Sequence, residues 1–219
     1  MPSEPGVCAR CKFWTGDLER HRCPEPIESR NARFRRDRLA AELWNVPDAY
    51  RECSVNGYRT PPGSKLARDM VAKWIREGMP EGKGLVLIGP TGTGKTHLIA
   101  AASSVIGSVV RFVRVRRLVR ECKSRIERGG FDDIVRDLSE CPWLVLDDIS
   151  SNRDTPFARD IVDELIEERE IKGRPILATL NIQPERIDHA IGQRSASRLL
   201  GLAGDWVVPV ISPDFRREP

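Results

Sequence analysis

Short apolar runs alternate with helical patterns along most of the chain. Between the runs lie stretches with helical periodicity such as 156–172, where Thr155 can cap the helix and Pro156 can occupy its first position. Strands that alternate with helices in this way predict a parallel sheet flanked by helices, an α/β fold. The runs that predict strands are LVLI (85–88), VVRFVRV (109–115), WLVL (143–146), PILAT (175–179) and WVVPV (206–210).

The N-terminal region has a different character. Residues 1 to about 60 are rich in arginine, contain cysteines and lack long periodic runs. The turn-rich stretch RTPPGS then precedes a helical pattern that Ser64 can cap and Gly78 can end. We therefore predict two domains, a small N-terminal module with a linker at 1–60 and an α/β domain at 61–219.

Charge is distributed unevenly although the formal net charge of the 219 residues is only +4. Residues 111–128 contain eight Lys or Arg against two acids, whereas 132–170 contain thirteen acids against four Arg. This asymmetry predicts one basic and one acidic surface.

Three features bear on localisation. The longest uncharged stretch, 98–110, has thirteen residues, too few to span a bilayer, and the charged N-terminus does not resemble a signal peptide. Six cysteines, three of them within the first 23 residues, do not form the pattern of a secreted disulfide scaffold. We expect a cytoplasmic protein without a membrane segment.

The stretch GPTGTGKT at 89–96 matches the phosphate-binding pattern G-x-x-x-x-G-K-T in full, between a predicted strand and a predicted helix. Its glycines permit close backbone approach, so that N–H groups and the helix N-terminus can cradle phosphates. Lys95 would reach the β- and γ-phosphates, and the Thr96 hydroxyl would ligate Mg²⁺. The predicted nucleotide-binding residues are Gly89, Pro90, Thr91, Gly92, Thr93, Gly94, Lys95, Thr96 and the adjacent His97.

Polar residues follow two other predicted strands. WLVLDDIS places Asp147 and Asp148 at a strand end, where Asp147 would hold Mg²⁺ together with Thr96 and Asp148 would act as general base. In PILATLN, Asn181 could orient water against the γ-phosphate. Taken singly, these residues are also typical of helix caps and turns. Arg194 and Arg198, one helical turn apart in GQRSASRLLG, are by themselves typical of a solvated helix face.

In combination, GPTGTGKTHL, LVLDDIS, ILATLN and QRSASRL resemble, in this order, the AAA+ ATPases of the DnaC/DnaI/IstB-like group of helicase loaders and transposition ATPases. The resemblance extends over about 45–216, because VPDAYRECSVNGY and VISPDFR are similar to segments at the two ends of the family core. It implies that Asn181 is the sensor-1 residue and that Arg198 is an arginine finger for the ATP of a neighbouring subunit, with Arg194 as a second basic contact. An ATP-dependent homo-oligomer is therefore expected.

Two departures from the broader AAA+ pattern suggest a slow, switch-like ATPase. Asp148 stands where many of these ATPases have glutamate, and its shorter side chain argues against fast hydrolysis. Only 21 residues follow Arg198, too few for the helical lid that usually completes the fold. We therefore expect an AAA+ core without the C-terminal lid.

The N-terminal module contains a candidate zinc site. Cys8, Cys11, His21 and Cys23 provide four soft ligands within sixteen residues, a spacing that can surround Zn²⁺ tetrahedrally. The alternative is free thiols beside a surface histidine. The pattern resembles the zinc-binding module of DnaI-like loaders, which would dock on the partner.

The resemblance leads to two related functions. The first is loading of a replicative helicase onto single-stranded DNA during replication initiation; the alternative is an IstB-like helper ATPase that binds duplex DNA and recruits a transposase. A small-molecule kinase, a third possibility, would leave Asn181 and Arg198 without their roles. The candidate single-stranded DNA contacts, which could equally be a solvated helix face, are Arg111, Arg114, Arg116, Arg117, Arg120 and Lys123.

Overall fold

The chain divides into two compact units, Met1–Glu42 and Leu43–Pro219. The computed structural model describes residues 6–7, 14–15, 45–79, 82–107, 110–126, 131–152 and 155–215. In the first unit, strand β1 (Gly6–Val7) pairs in antiparallel orientation with β2 (Trp14–Thr15). The candidate zinc ligands Cys8, Cys11, His21 and Cys23 lie outside the described residues.

The second unit is built on a five-stranded parallel sheet. Its strands are β3 (Leu85–Ile88), β4 (Val110–Arg114), β5 (Trp143–Asp147), β6 (Ile176–Leu180) and β7 (Val207–Pro209). Their order in the sheet is β4-β5-β6-β3-β7. The central strands β3 and β6 are buried at every position, as expected where helices cover a parallel sheet. The predicted α/β class and all five predicted strands are therefore confirmed.

Helices flank this sheet. Thr155 caps its helix as predicted, because its hydroxyl oxygen accepts a hydrogen bond from the Ala158 N–H at 3.3 Å. Ser64 occupies the predicted N-cap position of the helix Lys65–Arg76, but its hydroxyl makes no capping hydrogen bond and donates instead to the Pro61 carbonyl at 2.9 Å. The helices are α1 (Lys65–Arg76), α2 (Lys95–Ile106), α3 (Val115–Ile126), α4 (Phe131–Glu140), α5 (Pro156–Ile171), α6 (Ile187–Ile191) and α7 (Gln193–Ala203).

Residues 45–58 belong to the second unit and pack against its core. Tyr58 is buried there, and Val46, Tyr50 and Val55 pack against the same apolar cluster. The division of the chain at 42/43 therefore lies earlier than the boundary predicted after residue 60. Among the described helices, none has the length and apolarity needed to cross a membrane.

A buried arginine joins three parts of the α/β unit. Arg169 of α5 is fully buried, and its guanidinium donates hydrogen bonds to four main-chain carbonyl groups. Burial lowers the pKa of this guanidinium from its ordinary value. The carbonyls lie at the end of α4, before β5 and before β6, and belong to Leu138, Cys141, Pro142 and Pro175.

Candidate nucleotide-binding site

A cavity of about 550 Å³ opens where the carboxyl ends of the central strands meet the glycine-rich loop at 89–96. In an open parallel sheet this edge is where ligands characteristically bind. The cavity brings together residues that are far apart in the sequence but were predicted to act together. Of these predicted residues, the cavity is lined by Thr91, Gly92, Gly94, Lys95, Thr96, His97, Asp147, Asp148 and Asn181.

The loop at 89–96 connects β3 directly to α2, which begins at Lys95. Gly92 and Gly94 have φ angles of +81° and +83°, and a Cβ on Gly94 would lie 2.5 Å from the Tyr58 ring. Glycine is therefore required at Gly94 by both conformation and space. The Lys95 ammonium is buried inside the loop, where it donates to the carbonyls of Gly89 at 2.8 Å and Pro90 at 2.5 Å.

Asp147 lies at the end of β5 with three groups directed towards its carboxylate. Its Oδ1 accepts hydrogen bonds from the hydroxyls of Thr96 at 3.0 Å and Thr179 at 2.8 Å, and its Oδ2 lies 3.7 Å from Arg114 Nε. Burial raises the pKa of Asp147, while the two hydroxyls and Arg114 oppose this shift. A hydroxyl beside a carboxylate is a donor set of hard oxygens, which suits Mg²⁺.

Asp148 adopts a φ of +63°, which is uncommon for a residue other than glycine. Its N–H donates to Thr179 Oγ1 at 2.8 Å, and its Oδ1 accepts a hydrogen bond from Asn181 Nδ2. The Asn181 N–H in turn donates to Ser150 Oγ at 2.8 Å. The two acids and Asn181 thus form one hydrogen-bonded cluster at the floor of the cavity.

Two members of this cluster, Thr179 and Ser150, were not predicted from the sequence. Thr179 is two residues from Asn181, so the two side chains share a face of an extended strand. This two-residue spacing from Asn181 could have indicated a role for Thr179. However, Thr179 lies within the apolar run PILAT, which predicted only a buried strand. Ser150 had no comparable signal, because it contacts Asn181 only through the tertiary fold.

Two segments from opposite ends of the α/β unit complete the cavity wall. Tyr50, Gly57, Tyr58 and Arg59 contribute from the segment before α1, and Phe215 contributes from the other end. Tyr58 packs edge-to-face on Phe215 with ring centroids 6.0 Å apart.

Both segments are hydrogen-bonded to the loop or to α2. The Tyr58 hydroxyl donates to the Thr93 carbonyl at 2.8 Å, and the Phe215 N–H donates to the Gly92 carbonyl at 3.1 Å. His97 connects the first segment to α2, since its ring nitrogens lie 3.2 Å from Cys53 Sγ and 2.9 Å from the Ser54 carbonyl oxygen.

The predicted arginine finger lies on α7, and Arg198 there forms ion pairs within its own chain. Its Nε is 2.9 Å from Glu170 Oε2 and its Nη2 is 2.6 Å from Glu167 Oε1, both on α5. Arg194 is exposed on the same helix. Neither arginine is among the described residues that border the cavity.

The six predicted DNA contacts do not form one surface. The side chain of Arg111 is only 11% exposed and lies against Asp137 of α4, with the Nε–Oδ2 distance 3.9 Å. Arg114 and Arg116 line the nucleotide cavity, where the Arg114 guanidinium lies 5.6 Å from the centre of the Tyr50 ring. The remaining three are exposed along α3: Arg117, Arg120 and Lys123.

The sequence is similar to known ATP-binding proteins. The profile of the family described as IstB-like ATP binding protein matches residues 65–194. The replicative helicase loader DnaC of Escherichia coli is 24% identical over 165 residues, which cover 73% of this chain and 67% of DnaC. An ATP-binding protein of an insertion sequence in Mycobacterium tuberculosis is 31% identical over 127 residues, 56% of this chain. That match spans about half of the M. tuberculosis protein, 49% of its length.

The fold is also shared with a solved structure. The crystal structure of the DnaC helicase loader superimposes with a TM-score of 0.65 at 22% identity, covering 75% of this chain and 100% of that chain. This likeness shows that the chain shares the α/β fold of the DnaC structure. Because the family profile covers more than half of the sequence, the chain belongs to the family of IstB-like ATP-binding proteins.

Proposed function

We propose that this protein is a slow, switch-like AAA+ ATPase that assembles with copies of itself and loads a replicative helicase onto single-stranded DNA during replication initiation. The observation that supports an ATPase is the convergence of Lys95, the two acids and Asn181 on one cavity. Helicase loading is supported by the match to DnaC over 73% of this chain.

The residues around the cavity fit ATP and Mg²⁺. The ATP phosphates would contact the loop N–H groups and Lys95. The adenine ring would contact the aromatic side chains of Tyr50, Tyr58 and Phe215. Mg²⁺ would be held by the Thr96 hydroxyl and the Asp147 carboxylate, where it would neutralise charge on the phosphates.

Asp148 and Asn181 would activate the water that attacks the γ-phosphate. The Asp148 carboxylate accepts the proton of the attacking water, and Asn181, which donates to that carboxylate, holds it towards the cavity and orients the water. The aspartate side chain is shorter than that of glutamate, which supports slow turnover of ATP. A slow ATPase can use bound ATP to stabilise one assembled state of the protein.

Assembly would bring Arg198 to the ATP of a neighbouring subunit, with Arg194 as a second basic contact. For that purpose Arg198 must exchange Glu167 and Glu170 for phosphate oxygens, which also accept charge-assisted hydrogen bonds from a guanidinium.

Exposed basic residues on α3 are the remaining candidates for binding single-stranded DNA. Arg117, Arg120 and Lys123 are exposed there, and Arg116 lies where α3 meets the cavity. Neutralising one residue that binds a DNA phosphate should flatten the salt dependence of DNA affinity by about 0.7 in log–log slope. An unchanged slope in a triple Ala variant of Arg117, Arg120 and Lys123 would assign these residues to an ordinary solvated face.

The N-terminal module is proposed to bind one Zn²⁺ through Cys8, Cys11, His21 and Cys23 and to dock on the helicase. These four residues belong to the first compact unit of the chain, Met1–Glu42. Elemental analysis of the freshly purified full chain should show one zinc per chain, and a Cys8→Ser/Cys11→Ser variant should lose it. Absence of zinc from the unaltered chain would contradict the proposal.

Affinity capture from the host with the intact chain separates this function from its alternative. Recovery of the replicative helicase supports loading. The alternative is a transposition helper that recruits a transposase, which the family profile and the M. tuberculosis insertion-sequence relative favour. Recovery of a transposase without helicase would replace the proposed function with this one.

A further inference from the structure

Thr179 places a hydroxyl among apolar neighbours at the end of β6. The residue is 1% exposed, and Leu177, Ala178 and Leu180 beside it in the same strand are fully buried. A buried hydroxyl must find hydrogen-bond partners to offset the loss of water. Thr179 finds them on the neighbouring strand end, at Asp147 and Asp148.

The two hydrogen bonds use the hydroxyl as donor and as acceptor at once. Thr179 Oγ1 donates its single proton to Asp147 Oδ1 at 2.8 Å and accepts the Asp148 N–H at 2.8 Å. One atom therefore fixes the carboxylate of the first acid and the backbone of the second. No apolar side chain of the same shape, such as valine, could do this.

The backbone of Asp148 needs such support because its φ of +63° is unfavourable for a side chain with a Cβ. Conformations of this kind persist only where the surroundings hold them. Here the Asp148 N–H is held by Thr179 and the carboxylate by Asn181. The direction in which the Asp148 carboxylate points thus depends on Thr179.

We infer that Thr179 is a positioning residue for ATP hydrolysis, an inference that rests on the proposed function. It acts through the two acids rather than on the nucleotide. By binding Asp147 it holds a candidate Mg²⁺ ligand in place beside Thr96, and by binding the Asp148 N–H it directs the candidate base into the cavity. Its two hydrogen bonds go to the acids and not directly to the loop that would bind the phosphates.

The test compares Thr179→Val, which keeps the shape, with Thr179→Ser, which keeps the hydroxyl. We expect Thr179→Val to lower kcat by about 10–100-fold, the range typical of residues that orient metal ligands. It should also raise the Mg²⁺ concentration needed for half-maximal activity, whereas ATP affinity measured in EDTA stays unchanged. Thr179→Ser should recover most of the rate.

A matched control removes another buried hydroxyl outside the cavity. Ser103 is 2% exposed and its hydroxyl donates to the Ile99 carbonyl within α2, so Ser103→Ala should leave kcat and Mg²⁺ dependence unaltered. The inference is overturned if Thr179→Val behaves like the unaltered chain, or if Thr179→Ser is as impaired as Thr179→Val. Equal decreases of ATP affinity in EDTA and of kcat would assign Thr179 a merely structural role.

The result also separates this inference from the proposed function. If the unaltered chain shows no Mg²⁺-dependent hydrolysis, the proposed hydrolysis fails. The effect of Mg²⁺ on the affinity for a fluorescent ATP analogue then tests whether Thr179 positions Asp147. A smaller Mg²⁺ effect in Thr179→Val than in the unaltered chain supports positioning of Asp147, and an equal effect excludes it.

Discussion

Asp148 shows how a single residue can connect backbone conformation with chemistry. Its φ of +63° directs the chain away from β5 immediately after Asp147, so that two successive acids have different surroundings. Both acids line the cavity, but Asp147 is buried among hydroxyls, whereas Asp148 is half-buried beside Asn181. This difference underlies their separate proposed roles as metal ligand and general base.

Replacing Asp148 by asparagine tests the role of the general base. Asparagine tolerates positive φ, so Asp148→Asn should fold and bind ATP like the unaltered chain. It cannot accept the proton from water, so kcat should fall by about 10²–10⁴-fold. Single-turnover hydrolysis measures this effect. A variant that hydrolyses ATP at the original rate would exclude Asp148 as the base.

At the level of elements, the sequence predicted the sheet better than the site. Each central strand is an apolar run bounded by turn residues, a pattern that depends only on the local sequence. The runs LVLI and WLVL therefore form strands where they were predicted. The predicted strand at 109–115 is shorter in the structure because Val115 already begins α3, where it is fully buried. Apolar character indicates burial but does not distinguish a strand residue from a helix residue.

The parts of the site that could not be predicted depend on contacts between distant segments. Phe215 reaches the glycine-rich loop by a main-chain hydrogen bond to Gly92, and Tyr58 reaches it through the Thr93 carbonyl. Arg114, predicted as a DNA contact, turns towards Asp147 because β4 and β5 are paired in register at these two residues. No periodicity in the sequence encodes such pairings.

Arg169 provides a prediction about how the elements are held together. Arg169→Leu would leave four buried carbonyls without their donor, and each such change costs about 1–3 kcal/mol, although the costs do not add fully. We expect the free energy of unfolding to fall by about 3–5 kcal/mol in urea titrations.

Lys172→Leu, at the exposed end of the same helix, is the control for Arg169. It removes only an ion pair with Glu168, so its effect should stay within about 1 kcal/mol. Equal stability of the two variants would mean that the buried guanidinium contributes little to joining α4, α5 and the sheet.

At the scale of the whole molecule, we propose that a second copy of the chain would complete the active site with its Arg198. Arg198→Ala should bind ATP normally but hydrolyse it about 10³–10⁵-fold more slowly, the range measured for arginine fingers. Mixing this variant with Lys95→Ala should restore part of the activity, because a hybrid interface combines one intact nucleotide site with one intact arginine.

Glu167→Gln provides the matched control. It weakens the ion pair to Arg198 on α5 but keeps the arginine, so hydrolysis should not fall. If Glu167→Gln is as impaired as Arg198→Ala, the ion pair has a structural role. If no mixture of Arg198→Ala and Lys95→Ala regains activity, hydrolysis does not require a second subunit's arginine.

The Lys95→Ala variant also tests whether the cavity binds ATP. Lys95 donates to loop carbonyls at 2.8 and 2.5 Å and is the loop cation placed to meet phosphates. We expect Lys95→Ala to lose measurable affinity for a fluorescent ATP analogue. Lys73→Ala, an exposed lysine on α1, should keep that affinity. Retained affinity in Lys95→Ala would contradict the assignment of the cavity.

The measurement that tests the central claim most directly is the amount of host replicative helicase bound to circular single-stranded DNA. With this protein and ATP, that amount should rise several-fold above helicase alone, and Lys95→Ala should give no rise. If the unaltered chain binds ATP and yet leaves the amount of DNA-bound helicase unchanged, the protein is not a helicase loader.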